Sequence, residues 1–387
     1  MMLLALLALG QFTPIPGKKP PVTAPKLATP VPTPTPAPTQ IPSTSLQGIT
    51  ATPPEPATWR PTLLWRTTVK RGEGTAAIGK EGVFVAGGTA VHRFNSEGRT
   101  DWATEIGISL AEVTLDAKRV YVGSERGTVY ALDRQSGAVA WKATLGNAVR
   151  MAPVVVGDRL IVECMDNYIY ALELVTGTVK WKFVRPDGSL GYAGPTLGPP
   201  GSVLVCGEST VYRLNAATGQ EIWRSSVGGK ALGTPALSGN RVYVAGDGAG
   251  VVALDAETGE RRWRFRVGDE KTGPDWFGSP LVVGKTLYVS SYRRNVYALD
   301  ATTGKLKWST KVLGSALARP ALDEKRELLY LSSITYRDNP TLTALSTRTG
   351  TQVWDYKLGS LMAAPALLGG RLYLASTNGY FYAFSIQ

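Results

Sequence analysis

The chain has one histidine, His92, and two cysteines, Cys164 and Cys206, among its 387 residues. A triad that needs histidine would have to use that one side chain, and a metal site built from several histidines cannot be assembled. Two cysteines cannot form a disulfide framework. No long stretch shows the 3.6-residue apolar spacing of an amphipathic helix. The N-terminal apolar run MMLLALLALG has ten residues, against the roughly 20 that cross a bilayer as a helix. Much of histidine, metal and helical-membrane chemistry is thus set aside before any motif is examined.

What the chain has in quantity is glycine, threonine, valine and aromatic residues, together with positive charge. Its net charge is +12, from 42 Lys and Arg against 30 Asp and Glu, and only three of those cations fall in the first fifty residues. The part that can fold is therefore the basic part, a surface that favours anionic partners or simply solubility. The apolar run at 1–10 has the length of a secretory signal core, with Ala8 and Gly10 placed before a cut ahead of Gln11. No Lys or Arg precedes it, so the signal is imperfect, yet its length and small residues make the expectation an exported, envelope-associated chain; no cysteine follows it, which excludes a lipid-modified N-terminus. Residues 11–58 carry 14 of the 26 prolines. Proline fixes φ and removes a donor, so this segment reads as an extended spacer reaching on the order of 100 Å.

The remainder is a repeat. ALDRQSGAVAW at 131, ALELVTGTVKW at 171, RLNAATGQEIW at 213, ALDAETGERRW at 253, ALDATTGKLKW at 298 and ALSTRTGTQVW at 344 share one pattern, and a shorter copy, RFNSEGRTDW, starts at 93. The tryptophans Trp102, Trp141, Trp181, Trp223, Trp263, Trp308 and Trp354 recur every 39 to 46 residues, the length of a four-stranded propeller blade. Each unit contains a Pro-led apolar run, a VYV or LYL segment, a VYAL segment and the Trp segment, parted by turn residues, as an antiparallel meander requires. In the turn, Asp or Asn binds nearby amides and Gly137, Gly177, Gly219, Gly259, Gly304 or Gly350 supplies the left-handed residue.

Eight three-strand cores are present, the last without a Trp strand, while TLLWRTTV around Trp65 is a Trp strand with no core before it. The expected fold is all-β: an eight-bladed propeller over about residues 60 to 387, closed by the N-terminal strand in the last blade. The repeat A-x-D-x-x-[ST]-G-x-x-x-W resembles the tryptophan-docking motif of pyrroloquinoline-quinone-like β-propellers. That group contains quinoprotein alcohol dehydrogenases and the non-enzymatic outer-membrane assembly lipoprotein BamB, so the resemblance implies the fold and leaves function open.

The quinoprotein branch resembles itself in an adjacent cysteine pair beside the quinone and a calcium ion held near the axis. This chain has no Cys-Cys, and Cys164 and Cys206 each stand seven residues before the motif, in a slot filled elsewhere by small residues. They read as core side chains, with no cofactor and no metal expected. Asp166, Asp247 and Asp275 are loop acids near the axis, but no spacing singles out a carboxylate pair for glycoside chemistry. Catalysis is not expected.

The connections between second and third strands, and those between blades, should open on one face of the disc. That face collects basic residues at Arg293, Arg294, Arg319 and Arg337, joined by Arg126, Arg150, Arg185 and Lys230. The longest such loop, GDEKTGPDWFGSP, adds Trp276 and Phe277 outside the docking register, as anchors for a partner. The expectation is a monomeric, non-catalytic scaffold for an envelope protein, of the kind that assists outer-membrane protein assembly. A quinone-dependent oxidoreductase and a binder of anionic polysaccharide or nucleic acid are the alternatives.

Overall fold

The computed structural model describes residues 60–386 except 70–74, 110, 187–192, 232, 268–274, 334–340, 359–362 and 377–378. The signal-like run, the proline-rich spacer and Arg337 lie outside the described residues.

Alternating apolar and polar residues, broken by Gly, Asp and Asn turns, give short antiparallel strands. In the sixth blade these are Leu281–Val283, Thr286–Ser290, Asn295–Asp300 and Leu306–Lys311, hydrogen-bonded in that order. Eight such sheets form the eight-bladed propeller, and the inner strands of successive blades neighbour one another. The eighth blade is made from both ends of the chain: Thr62–Thr68 pairs with Tyr380–Ser385, placing Trp65 opposite Ala383. This closure leaves no blade without its outer strand. The fifth blade has an additional pair, Lys230–Ala231 against Asp247 and Gly246.

The core lies between blades. Tyr121, Val129 and Ala131 of the second blade pack with Leu160, Val162 and Leu172 of the third, all fully buried. Burying each aliphatic side chain contributes about 1.5–3 kcal/mol. On the outer strand only every second residue turns inward, as the burial of Val179–Val184 shows.

The turn chemistry can be followed atom by atom in ALDATTGKLKW. Asp300 Oδ1 accepts the amides of Thr302 and Thr303, at 3.1 and 2.8 Å, and the Thr303 hydroxyl at 2.9 Å. Gly304 has φ +73°, and a Cβ there would stand 2.6 Å from the ring of Trp263 in the preceding blade. Trp263 Nε1 donates to Ala301 O at 3.1 Å. The same clasp joins Trp65 to Ser96 O, Trp102 to Arg134 O, Trp141 to Leu174 O, Trp181 to Ala216 O, Trp223 to Ala256 O and Trp308 to Thr347 O. Trp354 faces the blade that the N-terminal strand completes; it is buried beside Tyr330 and Phe384.

The ladders correct one expectation. Cys206 pairs with Val211, but in the third blade it is Glu163 that pairs with the matching Ile169. The two cysteines therefore do not share a slot: one fewer residue separates the paired positions in the fourth blade, so equal sequence spacing does not mean equal position. Neither is in a disulfide, and both are fully buried. His92 lies in Ala90–Phe94 and stacks on Phe94, with centroids 5.6 Å apart.

Candidate functional site

The connections between second and third strands and those between blades do meet. The amide of Glu125 donates to Ile108 O, that of Met165 to Ala148 O and that of Tyr292 to Trp276 O, each joining one kind of loop to the other. This loop face carries the side chains that break the repeat.

Trp276 and Phe277 are neighbours in sequence with opposite fates. Phe277 is 1% exposed and packs edge-on against Phe265 at 6.5 Å, while its backbone bridges to Ser291. The expectation of Phe277 as a partner contact is therefore corrected: successive residues of extended backbone point to opposite sides, and its side chain closes the gap between the fifth and sixth blades. Trp276 stays partly exposed, its ring 5.2 Å from that of Tyr292. The carboxylate of Asp247 faces its indole. Burial raises the Asp247 pKa, opposed by Lys230 and by that indole.

Asp275 is buried beneath this pair. Its Oδ1 accepts the amides of Trp276 at 2.9 Å and Arg293 at 3.3 Å, while Oδ2 makes no hydrogen bond. The guanidinium of Arg293 lies 4.0 Å from Oδ1 and is 38% exposed. Arg294 is exposed and left-handed at φ +68°, which turns both arginines of YRRN outward. Arg319 keeps solvent access among crowding protein atoms; burial lowers its pKa, with Glu112 pulling the other way.

Two other cations expected on this face are neutralised, while Arg126 is exposed. Arg150 grips Glu125 through two contacts, at 2.9 and 2.8 Å, and Lys230 lies 3.2 Å from Glu208. Arg185 is not on the surface at all. Its side chain is 0% exposed, and Nη1 stands 2.7 Å from Glu163 Oε1. Its Nε donates to Asn167 Oδ1 at 3.1 Å. Every other blade fills the position four residues after Trp with Val69, Ile106, Leu145, Val227, Val267, Val312 or Leu358. The position of Glu163 is elsewhere Ala86, Gly123, Cys206, Ala245, Ser290, Ser332 or Ala375, by ladder register. One blade thus replaces an apolar contact by an ion pair. Burial pushes the Glu163 pKa up to about 7, against the pull of Arg185. Sequence reading missed this pair, although comparing the residue four beyond each Trp would have exposed it.

The three loop acids are taken up by neighbouring groups of the loop face. Asp166 accepts the Tyr170 hydroxyl at 2.6 Å, Asp247 faces the Trp276 indole, and Asp275 holds the Trp276 and Arg293 backbone. Among the described residues no three His, Cys, Asp or Glu side chains converge as a metal site. The residues do not fit the cysteine pair of a quinone pocket either, since the two buried thiols sit in separate blades at unequal positions.

Eight meander blades clasped by Trp on Gly turns define a β-propeller of the PQQ-like repeat class. A family model for outer membrane protein assembly factor BamB matches residues 60–207, 189–277, 207–329 and 269–387, and the chain belongs to that family. It is 26% identical over 170 residues to outer membrane protein assembly factor BamB of Yersinia pestis, covering 40% of this chain and 43% of the relative. With the Burkholderia pseudomallei factor of the same name it shares 27% over 229 residues, 52% of this chain and 58% of the relative. The alignments thus span about half the length of these relatives. Enzymes match as well: a quinohemoprotein alcohol dehydrogenase of Comamonas testosteroni is 27% identical over 237 residues, 54% of this chain and 32% of that one. Among solved structures, BamB from Moraxella catarrhalis superposes with a TM-score of 0.71 at 19% identity, covering 84% of this chain and 100% of that chain. That likeness concerns the fold.

Proposed function

We propose that the propeller is a non-catalytic, protein-binding scaffold of the bacterial envelope that assists the assembly of outer-membrane proteins. The observation that carries the reading is the cluster of Trp276, Tyr292, Arg293 and Arg294 on the loop face. A half-covered aromatic pair flanked by outward arginines is the composition of an interface anchor. The signal-like run at 1–10 and the proline-rich segment at 11–58 suit an exported protein. The BamB relatives carry names of assembly factors, which supports the same reading.

The test is co-purification from envelope extract with the full chain. Trp276→Ala combined with Arg293→Ala should abolish recovery of a specific partner, while Arg66→Ala on the outer strand of the eighth blade should not. Unchanged recovery by the double variant would sink this face. The quinoprotein alternative makes a different demand: added quinone and calcium would shift the melting temperature. On the scaffold reading, they leave it unchanged.

A further inference from the structure

Charge is unevenly distributed around the rim. The outer strands of blades two to six hold nine Lys and Arg and one acid, Glu221, whereas those of blades seven, eight and one hold two and three. The concentration peaks in the fifth blade, whose outer strand Arg261–Phe265 is continued by Arg266. This strand ends its sheet, so the outward N–H and C=O groups of its backbone pair with no strand among the described residues.

Lysine on an edge strand commonly just prevents aggregation. The arginines here are arranged differently. In the third and eighth blades the cation after Trp rests on a tyrosine, Lys182 on Tyr168 at 4.8 Å and Arg66 on Tyr380 at 5.0 Å. In the fifth blade the matching ring position is Gly250, with φ +73°. Arg264 instead donates through Nε to Ala249 O at 2.9 Å and through Nη2 to Val227 O. Arg266 donates to Gly248 O at 3.2 Å and Gly228 O at 3.5 Å. A Cβ at Gly228 would stand 2.8 Å from Arg264 Nη2, and one at Gly250 would stand 2.9 Å from Arg266 Cγ. Glycines therefore make the notch in which the two guanidiniums lie. No carboxylate among the described residues pairs with Arg261, Arg264 or Arg266. Burial lowers the Arg264 pKa, and Arg266 and Arg261 add to that by repulsion. Like charges held together in fixed positions, with no counter-ion among the described residues, call for an external anion.

We propose that the outer edge of the fifth blade takes an extended acidic segment of a partner protein as an additional strand, with carboxylates at alternate positions on Arg264 and Arg266. Side chains two apart on a strand are separated by about 6.8 Å, so an extended peptide in register repeats its carboxylates at the spacing of these arginines. The open backbone edge supplies the hydrogen bonds of strand addition. A flat lipid surface would match neither the convex rim nor the edge. The proposal rests on the protein-binding reading above, but uses the strand edge and arginines of the fifth blade rather than Trp276.

The experiment measures anisotropy of a labelled peptide of alternating glutamate and threonine, of strand length, added to the full chain. The wild type should bind it, weakening steeply with salt. Arg264→Ala with Arg266→Ala should weaken binding at least about tenfold, the size of one lost charge-assisted contact. Because Arg266 is exposed, Arg266→Ala alone guards against misfolding and should still weaken binding measurably. Arg264→Glu with Arg266→Glu should transfer preference to a lysine–threonine peptide. A peptide methylated on alternate backbone nitrogens should not bind. Equal binding by the double alanine variant, full binding of the methylated peptide, or binding only to anionic vesicles or to nucleic acid would each overturn the proposal. If peptide binding fails while Trp276→Ala with Arg293→Ala still loses its partner, the rim proposal falls and the scaffold reading stands.

Discussion

The two faces of the disc follow different rules. On the turn face one arrangement is used again and again: an Asp or Asn gathers amides, a left-handed Gly bends the chain, and the preceding blade's Trp lies on that Gly. On the loop face the side chains diverge: Arg150, Arg185, Arg293 and Trp276 have four different environments. The turn face holds the ring together and so tolerates little variation. The loop face is supported from below, which leaves its side chains free to specialise.

The largest effect that would sharpen this contrast comes from the buried pair, which lies on the loop side but behaves as core. At pH 8, Glu163→Ala leaves Arg185 buried without its partner and should cost about 3–5 kcal/mol in urea unfolding. Adding Arg185→Leu restores the residue types of other blades and should recover most of that loss. A double variant as unstable as the single one would mean that the pair does more than fill space.

Next come the clasps. Trp223→Ala removes a side chain that is 8% exposed and should cost about 3 kcal/mol. Gly259→Ala places a Cβ 2.8 Å from the Trp223 ring at φ +75°, at a cost of about 1–3 kcal/mol. The two should be non-additive, because both act on one contact. Additive losses in chemical unfolding would count against the clasp.

The pH dependence then separates the faces by sign. Glu163 rises from 4.5 in the unfolded chain to about 7 in the fold, so the fold holds that proton more tightly. Its contribution to stability is complete below pH 4.5 and declines as pH rises through about 7. Glu163→Gln should flatten this decline when melting temperature is followed across the range. The turn acid Asp255 is lowered to about 2, first by its bond from Arg262, and contributes above pH 3.8, with loss on acidification. The smallest stability effect belongs to Trp276→Ala, under about 1 kcal/mol because the ring is only partly covered. Partner recovery is the measurement that this variant should change.

The regular half of the molecule was legible because its chemistry is local. Asp300, Thr303, Gly304 and Trp308 lie within one short segment, and recurrence of that segment counts the blades. The buried pair was not legible, because Glu163 and Arg185 stand 22 residues apart and their equivalence to small and apolar residues emerges only from ladder register. The cysteines misled for the same reason: a loop of different length shifts Cys206 relative to Cys164. Phe277 and Trp276 could not be told apart either, since both are aromatic residues in one irregular connection and only the direction of the backbone decides which side chain is covered.

By itself the sequence determined the all-β ring, its eight blades and its closure by the strand around Trp65. Turn residues and strand alternation act over a few positions, and repetition makes them unmistakable. Only the tertiary structure decided which charges are available. Arg185, Arg264 and Arg293 are the same residue type in three different blades, yet one is buried on a carboxylate, one is held on carbonyl oxygens and one reaches solvent. Those outcomes depend on what the neighbouring blade places opposite each side chain, which is a property of packing between blades.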